Sequence, residues 1–153
     1  MNFPILSSLI LLPSIGALFI FITRSSEKSN YKSAKYVALF TSFANFIISI
    51  YLWYIFDSTS ADFQFVENRT WLKEFINYKV GIDGISILFI ILTTLISSLC
   101  IVSVSQTIKV KLKEFLIAIL LMESLMIGVF CSLDLVIFYL FFEGGLIPMF
   151  LII

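Results

Sequence analysis

Five long apolar runs constrain this chain more than any other feature of its sequence. Each is about 20 residues, enough for a helix to cross the hydrocarbon core of a bilayer. They cover Phe3 to Thr23, Tyr36 to Phe56, Ile85 to Ile108, Phe115 to Leu133 and Leu135 to Ile153. Of the 153 residues, 60% are hydrophobic and only 13% charged, roughly half the charged share of a soluble domain. A core of this size cannot hide so much apolar surface from water, so lipid has to serve as the solvent. The reading is an all-α polytopic membrane protein, residues 1–153 as a single module with five transmembrane helices. The first run has neither a basic leader nor a small-residue cleavage site, and is read as a retained helix, not a signal peptide.

The polar connections alternate in sign. Arg24, Glu27, Lys28, Lys32 and Lys35 give the first a net +3, the segment from Asp57 to Asp83 nets −2, and Lys109, Lys111, Lys113 and Glu114 give the third +2. Basic loops stay on the inner side of a membrane, which predicts the N-terminus outside and, after five crossings, the C-terminus inside. Tyr51, Trp53 and Tyr54 at the outer end of the second run, with Tyr31 and Tyr36 at its inner start, suit interfacial aromatic belts. The outer loop, 57–84, reads as a cover for the helix ends. Within it the alternation of Asp62, Phe63, Gln64, Phe65 and Val66 predicts a short strand, and Trp71-Leu72 suits the headgroup region. Asn68-Arg69-Thr70 matches a glycosylation sequon, silent in a bacterial or organellar membrane.

Composition removes whole classes of chemistry. The chain has no histidine, so imidazole ligation of haem, His-containing zinc sites and Ser-His-Asp or Cys-His catalysis are excluded. Zero net charge leaves no basic footprint for nucleic acid. Cys100 and Cys131 sit inside apolar runs, where a thiol acts as a small hydrophobe. There is no Gly-rich phosphate loop, CxxC or redox motif, so the expectation is no cofactor, no metal and no covalent step on this chain.

The informative residues are two carboxylates inside the apolar runs. Glu123 and Glu143 lie eight residues into the fourth and fifth runs. The two runs are joined by a very short turn at Ser132 to Asp134, so both residues fall at one depth, roughly 15 Å below the outer surface at 1.5 Å per residue. An acidic group there costs about 2.5–3.5 kcal/mol on insertion scales and marks a polar path more often than not. Both are candidates for proton translocation, against the plainer alternative of a protonated carboxyl bonded across a helix interface. Gly144, Gly145 and Pro148 loosen the helix after Glu143. Asp134 and Asp83, the latter between Gly81 and Gly84, are placed to cap the helices that follow. The third run is polar along one side, with Ser86, Thr93, Thr94, Ser97, Ser98, Ser103 and Ser105, which reads as helix packing or a water path.

Several of these stretches resemble a known family. Gly81-Ile82-Asp83-Gly84-Ile85-Ser86 with Leu92-Thr93-Thr94, the run Met122-Glu123-Ser124-Leu125-Met126-Ile127-Gly128-Val129-Phe130, and Phe138-Tyr139-Leu140-Phe141-Phe142-Glu143 leading to Leu146-Ile147-Pro148 are similar to helices three to five of subunit 4 of respiratory NADH:ubiquinone oxidoreductase, complex I, called chain M in bacteria. Phe63 to Glu67 with Trp71-Leu72 resembles its second outer loop. Where that family often has a proline, this chain reads Ser97-Ser98.

The resemblance implies an antiporter-like, proton-pumping subunit that binds no NADH, flavin, iron–sulfur cluster or catalytic quinone. It implies further that Glu143 pairs with a lysine on a seventh helix and that Glu123 is a second position on the polar axis. It also implies about fourteen helices, so the expectation is the N-terminal part of a split subunit, completed by a second chain among the other membrane-arm subunits. Two alternatives stand beside it: a non-pumping scaffold, and a subunit of a multisubunit sodium/proton antiporter. Seventeen phenylalanines and six glycines suggest an AT-rich genome, hence a mitochondrial inner membrane or, alternatively, a bacterial plasma membrane.

Overall fold

The computed structural model describes residues 4–23, 29–72, 76–107 and 111–153. It holds five helices and one hairpin: α1 (Ile5–Ile22), α2 (Ser29–Ile55), β1 (Gln64–Leu72), β2 (Ile76–Ile82), α3 (Gly84–Thr107), α4 (Leu112–Cys131) and α5 (Leu135–Ile152). Arg24, Glu27, Lys28, Lys73, Glu74 and Lys109, used above for loop charge, lie outside the described residues, as do the side chains of Tyr31, Trp71, Leu72 and Ser105. Each helix is long and apolar enough to cross a membrane, and the chain is a multi-pass membrane protein. α2 begins seven residues before the apolar run and α4 three residues before, because polar residues extend a helix beyond the bilayer at no cost to its backbone bonds. α3 runs unbroken through Ser97-Ser98.

The expectation of an all-α fold needs a correction at the outer loop. A two-stranded antiparallel hairpin fills it, longer than the strand that alternation around Asp62 to Val66 predicts. The register steps from Gln64↔Ile82 to Glu67↔Val80, so β1 has one extra residue there, and Phe65 takes a left-handed φ of 53° at that step. Such a bulge resets which face each later side chain occupies. Phe65 packs on the core while Glu67 reaches α1.

That reach solves a problem at the start of α1. The helix is preceded by Pro4, which offers no capping side chain, and helix N-termini leave several amides unpaired. Glu67 accepts from the Leu6 and Ser7 amides at 3.0 and 3.2 Å and from the Ser7 hydroxyl. At the other end Lys113 donates to the Phe21 carbonyl at 3.2 Å and to that of Thr23. An anion thus sits at the positive end of the α1 dipole and a cation at its negative end, both from distant parts of the chain.

α4 is the central helix, packed against α1, α2, α3 and α5, and half of its span is buried. Two apolar clusters lie along it. One, near the hairpin, gathers Leu6, Leu9, Leu52, Val80, Ile90 and Ile127; the other gathers Ala17, Ile20, Ala38, Ile101, Leu116 and Leu120. The hairpin is tied down over the α4–α5 turn: the Leu133 amide donates to the Lys79 carbonyl at 2.9 Å, and at Gly81 a Cβ would come within 2.7 Å of a Leu133 methyl, which would have to shift.

Both predicted caps form. Asp134 accepts from the Val136 and Ile137 amides at 2.8 and 3.4 Å, and Asp83 from the Ser86 amide at 2.7 Å. The Ser86 side chain and then its amide hold the Asp83 carboxyl below its ordinary value of 3.8. A depressed folded pKa contributes stability that is present above the unfolded value and lost as pH falls through the folded one. Asp83→Ala is therefore expected to cost about 1 kcal/mol, measured as faster amide exchange in the first turn of α3. Acidification below the carboxylate range should reproduce that loss in the wild type.

Candidate functional site

Between the two apolar clusters lies a layer of buried polar side chains, built from small local choices on three helices. On α2, Ser42, Asn45 and Ser49 are spaced three and four apart, which puts them on one face, and all three are fully buried. On α3, Thr94 and Ser97 are buried as well, and on α4 Glu123 and Ser124 are 2% and 3% exposed. The α2 and α3 faces zip together through hydroxyls, Ser42 to Ser98 at 2.9 Å and Ser49 to Thr94 at 2.9 Å. Ser124 donates to the Ile10 carbonyl and meets the Ser14 hydroxyl at 2.7 Å.

Glu123 is the centre of this layer. Asn45 Nδ2 donates to its Oε1 at 2.8 Å, and Ser42 and Ser97 are its neighbours. All three are neutral. Asn45 Oδ1 and Glu123 Oε2 are buried without a hydrogen-bond partner among the described residues. On its other side Glu123 borders a groove of about 460 Å³ between α3 and α4, lined also by Thr93, Ser97, Cys100, Met122 and Phe130. An acidic group enclosed by uncharged donors and acceptors, between apolar layers, can take up and release a proton without an adjacent charge.

Glu143 has different surroundings. It stands on an exposed face of α5, with Tyr139 one turn earlier as its neighbour. Only 11% of the α5 span is buried. Glu123 and Glu143 are eight residues either side of the helix ends at Cys131 and Leu135, yet one faces inward to α2 and α3 and the other outward. Gly145 has open space where a Cβ would be, and Gly144 meets only Leu125 at ordinary contact distance. The close approach is at Gly128, where a Cβ would fall 2.7 Å from the Phe141 ring.

The α2 contribution is what the sequence reading missed. Asn45 carries no charge and sits in an apolar run, so a search for intramembrane charges passes over it. Its signal was the three-four spacing with Ser42 and Ser49. The third-helix polar stripe does have a buried part, Thr94 and Ser97, but Ser86 belongs to the Asp83 cap.

The likeness to known proteins runs the length of the chain. NADH-quinone oxidoreductase subunit M of Rickettsia prowazekii is 44% identical over 154 residues, covering 100% of this chain and 31% of that protein. The similarity is to subunit M, called chain 4 in some relatives, and fits an N-terminal fragment of it. NADH-ubiquinone oxidoreductase chain 4 of Marchantia polymorpha is 46% identical over 97% of this chain and 30% of its own length, and subunit M of Rhodobacter capsulatus 47% over 97% and 29%. This chain therefore spans about 30% of the length of these subunit M relatives. No family profile matches it. Among solved structures, a chain of the membrane-bound sulfane sulfur reductase, an archaeal respiratory membrane complex, superimposes with a TM-score of 0.73 at 18% identity, over 94% of this chain and 22% of that one. At that identity the match speaks for the fold alone.

Proposed function

We propose that this chain is the N-terminal part of a proton-translocating, antiporter-like subunit in the membrane arm of an NADH-quinone oxidoreductase, with Glu123 and Glu143 as proton carriers and no redox cofactor of its own. The observation that carries the reading is Glu123, enclosed with Asn45 and the serines in a neutral polar layer on a helix whose relatives are named for that enzyme. A buried carboxyl costs free energy, and a packing role alone is served as well by an amide. Glu143, exposed on the least buried helix, is placed to meet a cation from the remaining helices of the subunit, on a continuation of this polypeptide or on a second chain.

In this reading the N-terminus and the hairpin face outward and the basic loops inward. The membrane is the inner membrane of a mitochondrion or the plasma membrane of a bacterium. The partners are the rest of the subunit, its neighbours in the membrane arm and lipid. The test is Glu143→Gln in the fully assembled enzyme reconstituted in vesicles. NADH oxidation with fewer protons moved per electron is the expected result; wild-type stoichiometry would contradict the assignment of Glu143. Protease access to 111–113 from the inner side only would support the orientation.

A further inference from the structure

We infer that Asn45 is the positioning residue for the Glu123 proton, the two side chains forming a cyclic pair of a carboxylic acid with a primary amide. Asn45 Nδ2 donates to Glu123 Oε1 at 2.8 Å, and the other oxygen of each group, Asn45 Oδ1 and Glu123 Oε2, is buried and unpartnered among the described residues. Both residues are enclosed, at 0% and 2% exposure. Buried polar atoms are satisfied in roughly 90% or more of cases, so two orphan acceptors on two groups already joined by a hydrogen bond call for a common explanation.

Donor arithmetic supplies it. An ionised carboxylate only accepts, whereas a protonated one has a single O–H donor, and a primary amide offers both a donor and an acceptor. One hydrogen on Glu123 Oε2, donated to Asn45 Oδ1, satisfies both orphans and closes a ring of two hydrogen bonds. Turning the amide by half a turn exchanges the roles of the two carboxyl oxygens and leaves the count unchanged. The neighbouring hydroxyls cannot substitute. Ser97 donates to the Thr93 and Thr94 carbonyls at 3.0 and 3.1 Å, and Ser49 to the Phe46 carbonyl at 2.7 Å. Ser42 is paired with Ser98. Among the described residues, the ring alone provides Asn45 Oδ1 with a donor.

The consequence is a residue that holds Glu123 in its loaded form. Loss of the proton leaves two lone-pair-bearing oxygens on adjacent groups, so discharge has to be accompanied by a turn of Asn45 or entry of a water between them. Asn45 acts through Glu123 and is not itself a carrier. The inference rests on the reading of Glu123 as a proton carrier, and the experiment separates the two.

Infrared difference spectra of the assembled complex would be compared for wild type, Glu123→Gln, Asn45→Leu and Asn45→Asp. The expected result is a protonated-carboxyl carbonyl band that disappears in Glu123→Gln and shifts in both Asn45 variants. Asn45→Asp keeps the size and polarity of the site and carries the test alone if the apolar variant does not assemble. A Glu123 band at an unchanged frequency in the Asn45 variants would overturn the pairing. The absence of any band removed by Glu123→Gln would overturn it too, indicating an ionised carboxylate with a water or cation between the oxygens. Wild-type proton stoichiometry in Glu123→Gln would instead overturn the carrier reading while leaving the ring intact.

Discussion

Gly128→Val is expected to lower the folding equilibrium constant of the α4–α5 pair by about two orders of magnitude, and with it the amount of assembled membrane complex. At this position α4 and α5 touch through the flat face of Phe141, and even a single added carbon would lie 2.7 Å from two ring atoms and 2.8 Å from a third. Phe141 also packs against the cluster near the hairpin, so swinging it clear gives up those contacts. Overpacking in well-filled interiors costs typically 1–3 kcal/mol, and valine adds three carbons at a contact already closed to one, so about 3 kcal/mol is the expected loss. The α4–α5 hairpin carries both glutamates, which makes the damage global. Quantitative native electrophoresis of the membrane arm checks it, and Phe141→Leu in the same chain should restore part of the assembly. Normal assembly of Gly128→Val on its own would mean that α4 and α5 do not approach as described.

Glu67→Ala should have the second largest effect on stability, although Glu67 lies outside every apolar run. Its carboxylate replaces the cap that Pro4 does not offer, taking two amides and a hydroxyl of α1. Hydrogen bonds to a charged group contribute about 1.5–3 kcal/mol each when enclosed, and these are only partly buried, so a total loss of about 2–4 kcal/mol is expected. Thermal unfolding of the complex should show it, together with faster proteolysis between residues 57 and 63 as the hairpin lifts from α1. Glu67→Gln keeps one acceptor oxygen and should lose less than half as much. Equal losses for the two variants would show that charge, and not the hydrogen bonds, is what α1 needs.

These two positions illustrate what a sequence discloses and what it does not. The helices were legible because a span of about 20 apolar residues has few alternatives, and Asp83 and Asp134 were legible because a cap acts within three residues of itself. Glu67 and Lys113 bond to partners 60 and 92 residues away. Nothing local marks such pairs. The bulge at Phe65 is invisible for the same reason, since the simple alternation it interrupts is what a reader follows. Of the polar layer, Glu123 stood out by its charge, while Asn45, contributed by a helix 78 residues earlier, became meaningful only when α2 was laid against α4. The sequence placed Glu123 and Glu143 at one depth, but their opposite facings depend on how α4 is surrounded and α5 is not.

In the proposed function, Glu123 carries a proton and does more than hold helices together. Glu123→Gln tests it most directly, because glutamine keeps the size of the side chain and an oxygen for the Asn45 amide yet cannot give up a proton. In vesicles of the fully assembled enzyme, near-normal assembly and NADH oxidation are expected, with a clearly lowered number of protons translocated per electron. A wild-type ratio in that variant would contradict it, and would leave Glu123 as a buried packing residue.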